Sequence, residues 1–363
     1  MFLRSHRPAA AALALAIAIL ATAIAGSPFT AEAAAPPAKN DVATATADAQ
    51  TLARFERWAT ITRIKNGYYY DAGQQDTSLV VTRVSGGVRF ADTRTDVIRS
   101  KPDSCRKKPA KAGSVVVCRV GKSVSARNPM TIKVFTRLGD DYINTTALPA
   151  AFELYMLADA GRDVVRAGAG DDFINGAQQR DRVWGGAGND WIRTGLSNDY
   201  ISGGPGRDRL VGVEGDDTIH GGNGNDRIGG GPGRDRLNAK AGRDHVLCGT
   251  GRDIVRAGAG DDFINGAQQR DRVWGGAGND WIRTGLSNDY ISGGPGRDQL
   301  VGVEGDDTIH GGNGNDRIGG GPGRDRLNAK AGKDHVLCGT GRDRVRADRS
   351  DTINRDCENV NFG

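Results

Sequence analysis

Carboxylates recur through more than half of this chain at a spacing of nine residues. Residues 158–346 divide into 21 consecutive nonads, and the sixth position of each is Asp. Two positions later stands Val, Ile or Leu, while glycine crowds positions one, two and four, as in GGAGND at 185–190. A carboxylate can bind a cation, or it can cap a turn by accepting hydrogen bonds from backbone N–H groups. Either chemistry needs elements that hold the carboxylates in register.

The residues around each aliphatic position predict a very short strand, as at 191–193 (WIR). Side chains alternate along a strand, so only the aliphatic one points inward. The glycine-rich hexads reverse the chain, because glycine accepts positive φ and close backbone approach. Two nonads then form one 18-residue turn of an all-β, right-handed parallel β-roll, a two-sheet solenoid. The 21 nonads predict about ten turns and a length of roughly 50 Å at about 4.8 Å per strand.

This array resembles the RTX, or haemolysin-type calcium-binding, nonapeptide repeat family, whose pattern is Gly-Gly-x-Gly-x-Asp-x-aliphatic-x. The resemblance covers about 190 of the 363 residues, and the run of 21 repeats in phase makes it specific. It implies a parallel β-roll that holds Ca²⁺ between successive turns. The implied ligands are the position-six carboxylates and carbonyl oxygens of the loops, which suit the hard-oxygen preference of Ca²⁺.

The loops on the two sides of the roll differ in their glycines. One side, which begins at 167–172, keeps the family's glycines in four consecutive loops. The other lacks the fourth-position glycine at Gln179 and Ser197 and the second at Asp159, Ala177 and Val213. We therefore expect calcium to favour the first side, and the opposite side to bind weakly or not at all. The predicted metal ligands are Asp172, Asp190, Asp208, Asp226, Asp262, Asp280, Asp298 and Asp316.

The charge balance departs from the acidic character usual in that family. Residues 167–256 contain 13 Asp and Glu against 12 Lys and Arg, and position five is often Arg, as at Arg180 and Arg207. An arginine beside a ligand carboxylate competes with the cation. We therefore expect calcium affinity at the weak, extracellular end, roughly 10⁻⁴–10⁻³ M. We also expect the metal-free roll to keep some structure.

A longer duplication lies within the array. Residues 165–253 recur at 255–343 with two changes, Arg209 to Gln299 and Arg243 to Lys333. The offset of 90 residues equals five turns of 18, so the insertion preserves the register of a roll on both sides.

Residues 1–35 read as a secretory signal peptide, with a charged start, an alanine-rich core and a small-residue cleavage site. An uncleaved membrane anchor is the alternative. Of the five cysteines, Cys105 is expected to pair with Cys118, and Cys338 with Cys357, which would tie a C-terminal cap, 347–363, over the roll. Cys248 is left as a free thiol or an intermolecular bridge.

Residues 36–157 lack the regular nonapeptide pattern and are interpreted as an irregular, β-rich N-terminal cap. A short helix is predicted at 48–61, followed by strand-like runs at 68–70, 79–84, 88–91, 115–120 and 131–136. LGDDYIN at 138–144 resembles a degenerate repeat end, and 145–157 an interruption before the array. The region contains 19 Lys and Arg against 11 Asp and Glu. The alternative function is therefore an adhesin or cell-wall polysaccharide-binding module on 36–157, with the roll as a spacer.

Catalytic signatures are missing from the sequence. No HExxH helix, GxSxG elbow or Walker loop occurs, and 36–157 contain no histidine to serve as a general base. Nucleic acid is not expected as a partner, because arginines alternate with Asp along the roll and no stacking module is evident. No membrane contact is expected after signal cleavage. The sequence thus predicts a secreted, non-enzymatic calcium-binding repeat protein.

Overall fold

A single stack of aliphatic side chains forms the core of the repeat region. In the computed structural model, Ile174, Ile192 and Leu210 are all completely buried, and each lies on the next strand of one sheet. Their Cα atoms pair at intervals of 18 residues, because each turn of the chain places the same nonad position over itself. Since no nonad can bury its aliphatic residue alone, the strands are stable only as a stack.

The structure describes residues 58–72, 76–95, 97–121 and 123–363. All of them lie in the second of the two contact units of the chain, Phe55–Gly363. The predicted signal peptide, 1–35, lies outside the described residues, as does most of the helix predicted at 48–61. No helix long and apolar enough to cross a membrane occurs in the described part of the chain.

The described residues contain 33 strands. The first ten are β1 (Trp58–Ile64), β2 (Gly67–Ala72), β3 (Ser78–Val84), β4 (Gly87–Asp92), β5 (Val97–Ser100), β6 (Cys105–Lys108), β7 (Ser114–Arg119), β8 (Met130–Phe135), β9 (Tyr142–Asn144) and β10 (Phe152–Leu157). The next twelve are β11 (Val164–Arg166), β12 (Phe173–Ala177), β13 (Arg182–Trp184), β14 (Trp191–Leu196), β15 (Tyr200–Pro205), β16 (Arg209–Glu214), β17 (Thr218–Asn223), β18 (Arg227–Gly229), β19 (Arg236–Ala241), β20 (His245–Thr250), β21 (Ile254–Ala259) and β22 (Phe263–Gln268). The last eleven are β23 (Arg272–Ala277), β24 (Trp281–Leu286), β25 (Tyr290–Pro295), β26 (Gln299–Glu304), β27 (Thr308–Asn313), β28 (Arg317–Gly323), β29 (Arg326–Ala331), β30 (His335–Gly341), β31 (Arg344–Ala347), β32 (Thr352–Ile353) and β33 (Asn359–Phe362).

Two sheets share these strands. The even sheet has the order β5-β1-β2-β8-β10, followed by every even-numbered strand to β32. The odd sheet runs β6-β7-β4-β3-β9-β11, followed by every odd-numbered strand to β33. From β8 onward the neighbours in both sheets are parallel, which confirms the all-β, two-sheet solenoid with 18 residues per turn.

The solenoid is longer than the regular nonads predict, with about 13 turns. It begins with β8 and β9, because LGDDYIN supplies a true repeat strand, β9, that pairs with β11. The predicted interruption at 145–157 contains β10, which pairs with β8 and β12. That turn is four residues longer than the regular turn of 18, since Tyr142 pairs with Val164.

Antiparallel hairpins cover the first turn. β2 and β3 lie alongside β8 and β9, so both sheets meet a paired strand there and present no open edge. Tyr68, Tyr70 and Phe90 are buried between these hairpins. The predicted helix is wrong where it is described: Trp58–Ile64 is strand β1, because alternating Ala59 and Ile61 point into this core. The predicted strands at 79–84, 88–91, 115–120 and 131–136 are confirmed within one residue at each end, and the one predicted at 68–70 extends from Gly67 to Ala72.

The cysteines pair as predicted. Cys105 and Cys118 join β6 to β7, and Cys338 and Cys357 tie the C-terminal tail to the last turns. In the tail, β32 and β33 pair with β30 and β31. Cys248 is a free thiol and completely buried, so its sulfur faces the core and is not placed for a bridge to another molecule.

Candidate metal centre

Two continuous stacks of aspartates run along the roll, one at each side. Every position-six Asp is at most 3% exposed. From Asp181 onward one carboxylate oxygen, Oδ1, accepts a hydrogen bond from the backbone N–H of the position-six Asp one turn earlier, whereas Asp172 Oδ1 accepts from Leu154. Asp190 Oδ1 accepts from Asp172 at 2.9 Å, and Asp208 Oδ1 accepts from Asp190 at 2.8 Å. The carboxylates therefore cap the turns, which is one of the two roles that the sequence allows them.

The second carboxylate oxygen has no such partner. The Oδ2 atoms are buried and accept no hydrogen bond among the described residues in 20 of the 21 nonads. The remaining one, Asp172 Oδ2, accepts from the backbone N–H of Gly168 at 3.1 Å. A buried anionic oxygen without a donor or counter-ion is costly, so each needs either a proton or a cation.

Burial raises the pKa of these carboxyl groups throughout the roll. Desolvation, the largest cause, lifts the pKa of Asp208 to about 6 against the opposing backbone hydrogen bond from Asp190. The pKa of Asp190 rises to about 8 and that of Asp181 to about 9, because neighbouring aspartates of the same stack add repulsion to the desolvation. The two stacks are alike in this respect, with desolvation first in each.

A small space adjoins each Oδ2 where position one is glycine. At Gly203 an added Cβ would collide with Asp208 Oδ2 and would lie 2.8 Å from the carbonyl oxygen of Gly221, one turn further on. We call this space the cradle. It is bordered by a carboxylate oxygen and a carbonyl oxygen, the two ligand types that Ca²⁺ prefers. The buried donor set therefore fits the metal that the repeat pattern implies.

In other nonads a side chain stands at position one. Thr194 is completely buried there, and its hydroxyl donates to the carbonyl oxygen of Gly212 at 3.3 Å. The buried side chains of Ala167, Ala239 and Cys248 occupy the same position. The nonads with a glycine cradle are those of Asp181, Asp190, Asp208, Asp217, Asp226, Asp235, Asp271, Asp280, Asp298, Asp307, Asp316 and Asp325.

From Ala177 onward the loops adopt positive φ at positions two and four, whichever residue stands there, whereas Asp159, Gly168 and Gly170 in the first two loops do not. Val213 adopts φ 94°, Gln179 φ 68° and Ser197 φ 85°, values that their glycine counterparts reach without strain. Lys240, on the first side, has φ 82°. These loops thus keep the same conformation without glycine, and the residues that replace glycine have a strained backbone.

Position-five side chains form a separate, exposed series. Asp216 Oδ1 accepts from the backbone N–H of Arg234 at 2.8 Å, one turn further on. Where arginine forms an ion pair in this series, its partner is a position-five carboxylate, as in Arg324 with Asp306 at 2.9 Å. Burial raises the pKa of Asp199 to about 6, and the charge of Arg180 is the smallest of the effects that oppose this rise.

The eight predicted ligands lie together in one stack. Asp172, Asp190, Asp208 and Asp226 are followed by Asp244, and then by the copies up to Asp334. The opposite stack has the same hydrogen bonds and the same unpartnered oxygens, so the carboxylates themselves do not distinguish the two sides. Preference for one side stays a prediction that depends on the loops.

Three acidic residues outside the regular array extend the stacks. Asp163 Oδ1 accepts from Asp141, so the first full nonad is preceded by another carboxylate. At the other end Asp334 N–H donates to Asp351 at 2.9 Å, and Asp343 N–H donates to Glu358 at 3.2 Å. The signal in the sequence was an acidic residue two positions before an aliphatic one, in Asp351-Thr352-Ile353 and Glu358-Asn359-Val360.

Comparison with known proteins gives one family match. The model described as RTX calcium-binding nonapeptide repeat (4 copies) matches nine overlapping segments between residues 155 and 336, half of the chain. The segments are 155–183, 178–210, 202–237, 211–246, 239–273, 247–282, 266–300, 292–327 and 301–336. No curated protein matches the chain.

Proposed function

Since the chain belongs to the RTX calcium-binding nonapeptide repeat family, we propose that it is a secreted protein whose roll is stabilised by Ca²⁺ held between successive turns. The observation that carries this proposal is the series of buried Oδ2 atoms without a partner. When bound, calcium supplies the positive charge that these oxygens need. The chain itself holds the oxygens in register, since each Oδ1 is fixed to the turn before it.

The residue at position one of each nonad distinguishes open sites from filled ones. The nonads of Asp190, Asp208 and Asp226 leave an open cradle beside Oδ2, as do those of their copies Asp280, Asp298 and Asp316. Asp172 and Asp262 have Ala167 and Ala257 in that place, and Asp172 Oδ2 already accepts a backbone hydrogen bond. Within the first stack we therefore place the strongest binding at the six open sites and weaker binding at Asp172 and Asp262. The preference over the open sites of the opposite stack rests on the non-glycine residues of its loops, such as Gln179 and Val213.

Calcium would stabilise the fold by mass action, because a site shared by two turns exists only when those turns are stacked. Secretion is proposed because two disulfides favour an oxidising compartment. A binding role, and no catalysis, is proposed for the whole chain. Polysaccharide binding by residues 36–157 remains the alternative prediction.

The test is a calorimetric calcium titration of the full chain, repeated on Gly203→Ala and on Gly229→Ala. At Gly203 the new Cβ meets Asp208 Oδ2, whereas at Gly229 its nearest neighbour is a Val211 methyl group at 4.0 Å. Gly203→Ala should lower the number of bound ions or the affinity and destabilise the loaded roll by about 1–3 kcal/mol. Gly229→Ala should titrate like the unmodified chain. Equal titrations of all three proteins, or no calcium uptake, would contradict the proposal.

A further inference from the structure

Folding separates the charges of the roll, although they alternate along the sequence. Residues 158–346 contain 28 Asp and Glu, of which 21 are the buried position-six aspartates. None of the 26 Lys and Arg in the same span is buried. The accessible surface therefore presents 26 basic groups against seven acidic ones, although the sequence is nearly neutral.

The outer face of the odd sheet is the most one-sided part of this surface. Strands β11 to β33 of that sheet contain no Asp or Glu. Their outward positions carry eight arginines, which we call the arginine face: Arg166, Arg182, Arg236, Arg256, Arg272, Arg326, Arg344 and Arg346. No ion pair found among the described residues includes any of these eight.

Aromatic rings on this face are already covered by their neighbours. Arg166 lies 5.1 Å from the centroid of the Trp184 ring, and Tyr200 lies 5.4 Å from it along the roll. The copy repeats the arrangement, with Arg256 over Trp274 at 5.2 Å. The rings are thus packed side by side instead of standing free to stack on bases. The groups left for a ligand are guanidinium N–H donors, which suit carboxylate, sulfate or phosphate oxygens.

The arginines form two rows along the roll, one at the first residue of the strands (Arg182, Arg236, Arg272, Arg326 and Arg344) and one at the third (Arg166, Arg256 and Arg346). Arg182 and Arg272 are 90 residues, or five turns, apart, which corresponds to about 24 Å along the roll at about 4.8 Å per strand. A compact anion would reach only the arginines of neighbouring strands, such as the paired Arg326 and Arg344, whereas a linear polyanion can contact groups along the whole face and gain avidity. The two disulfides favour an extracellular polymer over nucleic acid.

We propose that the arginine face binds a linear polysaccharide carrying carboxylate or sulfate groups, laid along the roll axis. Neither the repeat family nor the calcium sites assign a ligand to this face. It also differs from the predicted polysaccharide surface on residues 36–157, since all eight arginines lie in the roll.

The test measures binding of the calcium-loaded full chain to dextran sulfate, with neutral dextran as the matched polymer. The face variant combines Arg182→Gln, Arg236→Gln, Arg272→Gln and Arg326→Gln, all exposed. The control variant makes the same charge change at exposed position-five loop residues, with Arg180→Gln, Arg207→Gln, Arg270→Gln and Arg297→Gln. Circular dichroism and calcium titration of each variant report folding and the calcium sites separately.

We expect dextran sulfate to bind and neutral dextran not to bind, with affinity that falls as salt is raised. The face variant should lose at least about tenfold in affinity, since each exposed charge contact contributes up to about fivefold. The control variant should lose much less. Equal losses in both variants, undiminished binding by the face variant, or binding insensitive to salt would overturn the proposal. Tighter binding of duplex DNA than of dextran sulfate at equal salt would also overturn it and assign the face to nucleic acid. If the face variant does not fold, the salt dependence of binding and the comparison of dextran sulfate with neutral dextran test the proposal on the unmodified chain.

Discussion

Replacing Asp208 by Asn should have opposite effects on the metal-free and the calcium-loaded roll. The folded chain holds a proton on Asp208 up to its raised pKa of about 6, whereas the unfolded chain releases it near 3.8. Between these values the folded state binds more protons, so stability is full at low pH and falls as pH rises through this window. The difference of roughly two pH units corresponds to about 3 kcal/mol for this one buried group.

Asparagine keeps the acceptor for the Asp190 N–H, now at 2.8 Å, and carries no charge at any pH. In chelator at about pH 8, Asp208→Asn should therefore be more stable than the unmodified chain by about 1–3 kcal/mol, and near pH 4 the two should be alike. With saturating calcium the order should reverse, because the variant lacks the charge that holds the ion. Urea unfolding followed by far-UV circular dichroism, in chelator and in calcium, measures all four conditions.

The matched control is Asp216→Asn, which makes the same chemical change at an exposed position-five carboxylate. It should shift stability by less than about 0.5 kcal/mol in each condition. The reasoning is refuted if the unmodified chain in chelator is more stable at about pH 8 than near pH 4, or if Asp208→Asn destabilises the metal-free roll as much as the loaded one.

Two further predictions concern the loops and the core. Val213 has φ 94°, so Val213→Gly should raise the free energy of unfolding by about 1 kcal/mol. Val211 lies in the same strand without positive φ, so Val211→Gly should lower it, and urea unfolding that shows no difference between the two variants would contradict this. Cys248 is completely buried, so a thiol reagent should label it only after calcium removal and denaturation, and labelling of the native protein followed by mass spectrometry would show the core to be open.

Much of the repeat architecture could be predicted from the local sequence pattern. The nine-residue period sets the strand, the turn and the inward aliphatic residue within a few neighbouring positions, so the two-sheet solenoid could be predicted from residues such as Ile192 and Gly186. The pairing of Cys338 with Cys357 could also be predicted, because the tail must end the stack. The helix prediction failed at Trp58–Ile64, since the strand there depends on pairing with β2, a tertiary contact.

The sequence by itself determined that carboxylates recur at a fixed spacing, and its resemblance to the repeat family implied calcium as their cation. Tertiary structure alone decided how those carboxylates are used, because the partner of each one lies 18 residues away. Stacking buries Asp208, fixes one of its oxygens and leaves the other open to the cradle kept by Gly203. The same stacking hides the acidic groups and leaves the arginines outside, a separation that alternating residues in a linear sequence do not reveal.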